Sequence, residues 1–339
     1  LTVALTLAIA YGLSFPLPYI APIFALMLTA KPAPPMGLKG LVGLILVLFF
    51  TLGVGLLLIP MLVNYPVSAV LLIAMGLYFS TYLTVHLGKA LVGGLLTIGF
   101  TIIPAAGLPN FYFGVLVIQA LALGMALAII CQWLVYPFFP EDPVTAAPEP
   151  PAPVNAEQSK WLALRTTLIV LPPVLLSLSN PSMYLKLIMK SVALGQQSSE
   201  ISARNAGLEL LGSTFLGGCF AILGWFMLGM FTSLWMFFWS MLLFGVFFSS
   251  KIYRVMASRF PASFWVNVVI TMLILLGSAV QDSAYGNDVY EAFAIRMMMF
   301  IAVTLYAWLA IYVLEQFRVR SQHKRFTQSL ANKEVTECS

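Results

Sequence analysis

The chain alternates between long apolar stretches and short polar segments. Most of the apolar stretches run for about 15 to 25 residues without the strict alternation of a half-buried strand, so they predict helices. Helices of this length cross a bilayer while satisfying their own backbone hydrogen bonds. The sequence predicts twelve spans, at residues 1–15, 18–30, 41–63, 66–86, 90–106, 111–138, 161–178, 182–198, 207–230, 232–250, 263–281 and 290–317.

The first two predicted spans are shorter than most of the others. They are either thin or tilted helices, or a hairpin that does not cross the membrane completely. Leu1 already lies inside an apolar run and is not an initiator Met, so we expect a short native segment to precede it.

A proline-rich stretch divides the chain into two halves. Residues 139–160 are predicted to form an extended cytoplasmic linker, because closely spaced prolines favour polyproline II structure. The linker separates a first six-span repeat, 1–138, from a second, 161–317, which a basic cytoplasmic tail, 318–339, follows. The predicted fold class is an all-α polytopic membrane protein with two parallel six-span repeats and about twelve transmembrane helices.

Short sequence matches support a duplication. Residues 76–81 (GLYFST) match residues 245–250 (GVFFSS) at an offset of 169, and the same offset aligns Gly43 with Gly212. Self-similarity at a fixed offset is the signature of an internal repeat.

Composition excludes several other classes of protein. Of the 339 residues, 61% are apolar and 9% are charged, whereas soluble domains are about 25% charged. The three cysteines and two histidines show no disulfide or ligand spacing, so we expect no metal, no cofactor and no intramembrane enzyme. The basic residues flank the spans, so the pI near 9.1 indicates topology signals and not nucleic-acid binding.

The basic residues also predict the orientation of the chain. Of 17 Lys and Arg residues, 14 fall on one side of the predicted spans. The positive-inside tendency makes this side cytoplasmic, so both termini are predicted to lie in the cytoplasm. Both halves then start inside, as in transporters built from parallel repeats.

Two segments resemble the fusaric acid resistance and aromatic acid exporter superfamily. Residues 204–218, RNAGLELLGSTFLGG, are similar to its arginine-then-glycine stretch, and residues 19–32, YIAPIFALMLTAKP, to its second helix and the cytoplasmic turn that follows. The first half departs from the pattern, with Lys39 and Gly40 where an arginine is expected nearby, and there is no large soluble domain. The resemblance implies a bacterial inner-membrane exporter of small organic acids with a periplasmic adaptor as partner. We also expect a homo-oligomer, with a dimer favoured.

Besides the 14 basic residues on the cytoplasmic side, three lie inside predicted spans, where an ionisable side chain costs about 2.5–3.5 kcal/mol on insertion scales. Arg296 either holds a substrate carboxylate with two hydrogen bonds, or snorkels outward to pair with Asp288 or Glu291. Lys186 and Lys190 lie four residues apart on one face of span eight. They either face a wet protein interior as substrate ligands or reach a headgroup layer.

Four acidic residues are candidates for proton coupling, which needs a carboxylate that is alternately wet and dry. Asp282, Asp288 and Glu291 lie on the outer side, where solvated loop acids are the alternative. Glu209 lies inside span nine, where an ion pair that anchors the helix, near Arg204, is the alternative.

Two further features involve neutral residues. Gln119 offers hydrogen bonds either to a substrate or to a neighbouring helix. The spacing Ser213-x-x-x-Gly217 is a small-residue pattern typical of close helix contacts.

The leading hypothesis is a proton-coupled secondary exporter of small aromatic or other organic anions, with the substrate between the halves. Arg296 and Lys190 would neutralise the substrate near mid-membrane. A passive anion channel is one alternative. The other is a non-transporting scaffold, which would have a closed apolar core with Lys186, Lys190 and Arg296 at its edges.

Overall fold

The computed structural model describes residues 1–30, 34–140, 156–180, 187–194 and 206–337, and all regular secondary structure in these ranges is helical. The helices are α1 (Thr2–Gly12), α2 (Ile20–Thr29), α3 (Leu38–Asn64), α4 (Pro66–His86), α5 (Ala90–Gly107), α6 (Phe111–Val135), α7 (Ala156–Ser179), α8 (187–194 as described), α9 (Ala206–Met230), α10 (Leu234–Ile252), α11 (Ala262–Ala284) and α12 (Val289–Glu337).

Nine helices in these ranges are long and apolar enough to cross a membrane. The first two are not, because α1 and α2 have 11 and 10 residues and are each about 15 Å long. The hydrocarbon core of a bilayer is about 30 Å thick. Helices α1 and α2 pack together through a turn in which Ser14 and Leu17 have φ of 53° and 58°. Helices α1 and α2 therefore form a hairpin of two short helices.

Local signals explain where several helices begin. Asn110 accepts a hydrogen bond from the Tyr112 backbone N–H at 3.0 Å and caps α6. Ser233 caps α10 in the same way, accepting from the Met236 N–H at 3.2 Å. Pro66 opens α4, where its missing N–H removes no helical hydrogen bond. The predicted starts at residues 66 and 111 are observed.

Two predicted boundaries differ from the structure. Helix α7 begins at Ala156, so the end of the predicted linker 139–160 is helical, while its residues 141–155 lie outside the described ranges. Helix α12 continues beyond the last span to Glu337 and contains most of the predicted tail. No glycine or proline occurs between Val289 and Glu337 to end the helix at the membrane.

Each half of the chain packs one of its helices against the other half. One apolar cluster is centred on α3–α6 and a second on α9–α12. The first helix of each half packs against the fourth helix of the other, α1 against α10 and α7 against α4. Leu7 of α1 accordingly belongs to the second cluster and Val170 of α7 to the first.

The described part of α8 lies between the two clusters. Ile188 and Val192 pack into the first cluster, whereas Leu187 and Leu194 pack into the second. Lys190 lies at the middle of this segment and is completely buried.

Helices α9 and α11 are in close contact at Gly217. A Cβ atom at this position would lie 2.7 Å from the Thr271 Cβ and 2.8 Å from the Val268 carbonyl oxygen. Both distances are shorter than van der Waals contact, so only glycine allows this approach. The predicted small-residue pattern Ser213-x-x-x-Gly217 thus faces α11.

We expect Gly217→Leu to separate α9 from α11 and to destabilise the protein by about 1–3 kcal/mol through overpacking. Gly229→Leu is the matched control on the same helix, because no atom lies within 4 Å of its Cβ position. Thermal unfolding in detergent should show a lower apparent Tm for the first variant alone. Equal melting temperatures would contradict the proposed packing role of Gly217.

Candidate functional site

Lys190 is completely enclosed, with 0% of its surface exposed. Its ammonium nitrogen donates hydrogen bonds to Asn267 Oδ1 at 3.1 Å and to Thr271 Oγ1 at 2.7 Å. Both partners lie on α11, one helical turn apart, so they point to the same side of that helix. The sequence analysis left open a position for Lys190 in a headgroup layer. The structure instead buries Lys190 completely.

A second layer of hydrogen bonds holds these partners in place. Asn267 Nδ2 donates to Ser213 Oγ on α9 at 2.6 Å, which fixes the amide with its oxygen towards Lys190. Thr271 Oγ1 donates to the Asn267 carbonyl oxygen at 2.7 Å, so its lone pairs face the ammonium group. Three helices, α8, α9 and α11, therefore build one buried polar cluster.

The charge of this cluster is uncompensated within the described residues. Both hydrogen-bond acceptors of Lys190 are neutral, and none of the three ion pairs found in this part of the chain includes it. An ammonium group has three donors, and the third finds no partner among the described side chains. The cluster thus offers one positive charge and one hydrogen-bond donor to an anion.

The sequence analysis missed Asn267 and Thr271, and it missed the hydrogen bond of Ser213. The spacing of polar residues along α11 nevertheless indicates the first two. Asn267, Thr271, Ser278 and Asp282 are spaced by 4, 7 and 4 residues, which places them within about 60° around a helix. All four are buried on α11, which is more enclosed than any other described span. A polar stripe along one face of an apolar helix indicates a partner other than lipid.

Arg296 and Asp282 form the second charged feature, at the other end of this stripe. The guanidinium and the carboxylate make a two-pronged ion pair, with Nη2 at 2.8 Å from Oδ1 and Nη1 bonded to Oδ2. The side chains are only 15% and 10% exposed. The carboxylate partner of Arg296 is thus Asp282, a different residue from the two that the sequence suggested.

Lys190 and Arg296 do not meet around one substrate. Their partners Thr271 and Asp282 are eleven residues apart on α11, or about 16 Å at 1.5 Å per residue. A single small carboxylate cannot contact both cations at once. The polar stripe connects two separate features, of which Lys190 is unpaired with any described carboxylate and Arg296 is already paired.

The remaining acidic candidates lie elsewhere. Asp288 is exposed and caps α12, accepting from the Tyr290 N–H at 2.9 Å. Glu291 is exposed in the first turn of α12, where a negative charge complements the helix dipole. Glu209 is half-buried in the first turn of α9 and has no ion pair within the described ranges; Arg204 lies outside them.

Gln119 and Lys186 complete the set of candidates. Gln119 is exposed on α6, which packs mainly against α1, α2, α3 and α5. Lys186 lies outside the described residues. In the part of the chain that the structure describes, no group of three His, Cys, Asp or Glu side chains is placed to bind a metal ion.

Comparison with known proteins gives one finding. A family model described as "Protein of unknown function (DUF2955)" matches residues 1–135, which end with α6. No curated protein matches the chain and no solved structure matches it. The match relates the first six helices to an uncharacterised family, and the Lys190 cluster lies beyond the matched residues.

Proposed function

We propose that this protein is a secondary exporter of small aromatic or other organic anions, and that the substrate carboxylate binds at Lys190. The observation that carries the proposal is the fully buried ammonium group with only neutral hydrogen-bond partners in the described part of the chain. The resemblance of residues 19–32 and 204–218 to exporters of such acids supports the substrate class.

The energetics of burial favour a binding role over a structural one. Removing an ion from water costs several kcal/mol, and a buried cation is seldom retained without a paired anion. Asn267 and Thr271 offset part of this cost. A substrate carboxylate would offset more, because it accepts the third N–H and neutralises the charge. A non-transporting scaffold does not need this arrangement.

The stripe on α11 supplies an outward route for the anion. Ser278 lies between the Lys190 cluster and Asp282 on the same face of the helix. A carboxylate that reaches the outer end competes with Asp282 for the guanidinium of Arg296. In this proposal the ion pair closes the outer end of the route until substrate exchanges with Asp282.

The two-half organisation is part of the same proposal. Helix α3 packs on α5 as α9 packs on α11, and the exchanged helices α1 and α7 occupy matching places. The sequence offset of 169 also aligns Gly55 with Gly224, since 55 plus 169 is 224. A Cβ at these positions would meet α5 and α11 respectively. Parallel repeats of this kind place a substrate site between the halves, where α8 lies.

Lys190→Met should abolish transport without lowering the apparent Tm, because the variant removes a costly buried charge and keeps most of the volume. Reconstituted protein would be tested for uptake of radiolabelled benzoate and other small carboxylates under an imposed pH gradient. We expect at least a tenfold loss of gradient-driven uptake. The exposed Lys39→Met is the control and should keep wild-type rates.

Three outcomes would overturn this assignment. Full activity of Lys190→Met would remove the binding role of the ammonium group. Wild-type protein that moves none of the acids under any gradient would exclude the exporter. Wild-type flux that ignores the pH gradient, together with unitary currents in planar bilayers, would identify a passive anion channel.

Another prediction concerns the ion pair between Arg296 and Asp282. Asp282→Ala should destabilise the protein by about 3–5 kcal/mol, because it leaves a buried guanidinium without its carboxylate. If the substrate carboxylate replaces Asp282 as the partner of Arg296, the double variant Asp282→Leu, Arg296→Met should regain the apparent Tm but not transport. A double variant with both stability and transport at wild-type levels would reduce the ion pair to a structural contact.

A further prediction concerns the orientation of the chain in the membrane. We propose an inner-membrane location with both termini in the cytoplasm, on the basis of the 14 basic residues that flank one side. A Cys219→Ser variant keeps Cys338 in the tail and the buried Cys131. A membrane-impermeant maleimide should label it in inverted vesicles and not in intact spheroplasts. Labelling of intact spheroplasts would reverse the assigned orientation.

A further inference from the structure

Gln119 is the one exposed amide-bearing or charged side chain deep within the described membrane spans. It lies eight residues past Phe111 at the start of α6, or about 12 Å along the helix. Other exposed side chains more than two turns from the ends of these spans carry neither an amide nor a charge. No described side chain hydrogen-bonds to Gln119, so its exposed amide is unsatisfied within the described residues.

An amide at this depth needs a hydrogen-bond partner, and the described residues supply none. Lipid tails offer no hydrogen bonds, and an unpaired amide in an apolar medium costs about 2–7 kcal/mol. A glutamine side chain contains both a donor and an acceptor. A second glutamine in the same position is therefore a complete partner, and each amide can donate to the other.

The surroundings of Gln119 have the geometry of a helix–helix seam. Apart from Phe111 and Phe113 in its first turn, the exposed positions of α6 lie within about 60° around the helix. They form one narrow stripe because α1, α2, α3 and α5 pack against other faces of the helix. The stripe consists of Tyr112, Leu116, Gln119, Leu123, Ile130 and Leu134. A single polar residue within such an apolar seam fixes the register and the number of strands.

We propose that α6 is the interface of a homodimer, in which the exposed stripe of one copy packs against that of the second and the two Gln119 amides hydrogen-bond across the two-fold axis. Both copies have the same topology in the membrane, so the axis runs along the membrane normal and the two α6 helices are parallel. Equivalent residues then face each other, as an isologous interface requires. Gln119 acts in assembly and not as a substrate ligand.

Cysteine crosslinking in native membranes tests this seam. In a Cys219→Ser, Cys338→Ser background, Leu116→Cys and Leu123→Cys should give disulfide-linked dimers on oxidation. Leu72→Cys on α4 is the matched control, since its exposure of 39% is close to the 37% of Leu116. Dimers at both α6 positions and none at Leu72 are expected. Equal crosslinking at all three, none at α6, or a crosslink to another protein would overturn the proposal.

The hydrogen bond is tested separately from the apolar seam. Gln119→Leu should lower the dimer fraction measured by single-molecule photobleaching in liposomes by at least about threefold, whereas Gln119→Asn should retain most of it. An unchanged dimer fraction in Gln119→Leu would exclude the amide pair. Benzoate uptake by Gln119→Leu is expected at wild-type rates, and its loss with the dimer intact would instead assign Gln119 to the substrate.

Discussion

The burial of one ammonium group constrains the arrangement of the second half. Lys190 needs acceptors that cannot come from lipid or bulk water, and α11 supplies them through Asn267 and Thr271. Ser213 can hold the amide of Asn267 only because α9 approaches α11 closely at Gly217. Packing and polar chemistry are thus interdependent here. A glycine that permits close contact is as necessary to the cluster as the residues that hydrogen-bond within it.

The first half contains a buried polar contact that carries no charge. Its helices α4 and α5 are joined by a hydroxyl pair, Ser80 and Thr97 with their oxygens 2.9 Å apart. Thr101 donates to the Thr97 carbonyl oxygen at 2.6 Å within the same layer. Hydroxyl groups satisfy themselves on the backbone of their own helix and do not demand an anion. This polar contact therefore differs in chemistry from the Lys190 cluster, which is built from helices α8, α9 and α11 of the second half.

Sequence patterns predicted the features that depend on a single helix. The apolar lengths predicted the helices, and the depth of Lys190 within its span marked it as costly. The pairing of Arg296 with Asp282 could not be predicted, because it depends on how α11 and α12 are aligned after the turn between them. Asn267 was missed because the stripe that contains it becomes visible only when polar positions are counted at helical spacing. The long α12 was foreseeable from its lack of glycine and proline.

The contrast between Lys190 and Arg296 explains why both can exist in one protein. Arg296 already has a carboxylate, so burial of the pair costs little further energy, but an incoming anion must compete with Asp282. Lys190 has no such competitor among the described residues, so in the proposed exporter an anion would bind there without displacing a carboxylate, while the empty site is costly. Ligand binding to the folded state recovers that cost through linkage. For the proposed exporter this division would be useful, since strong binding at Lys190 and exchange at Arg296 would prevent the substrate from remaining trapped at either residue.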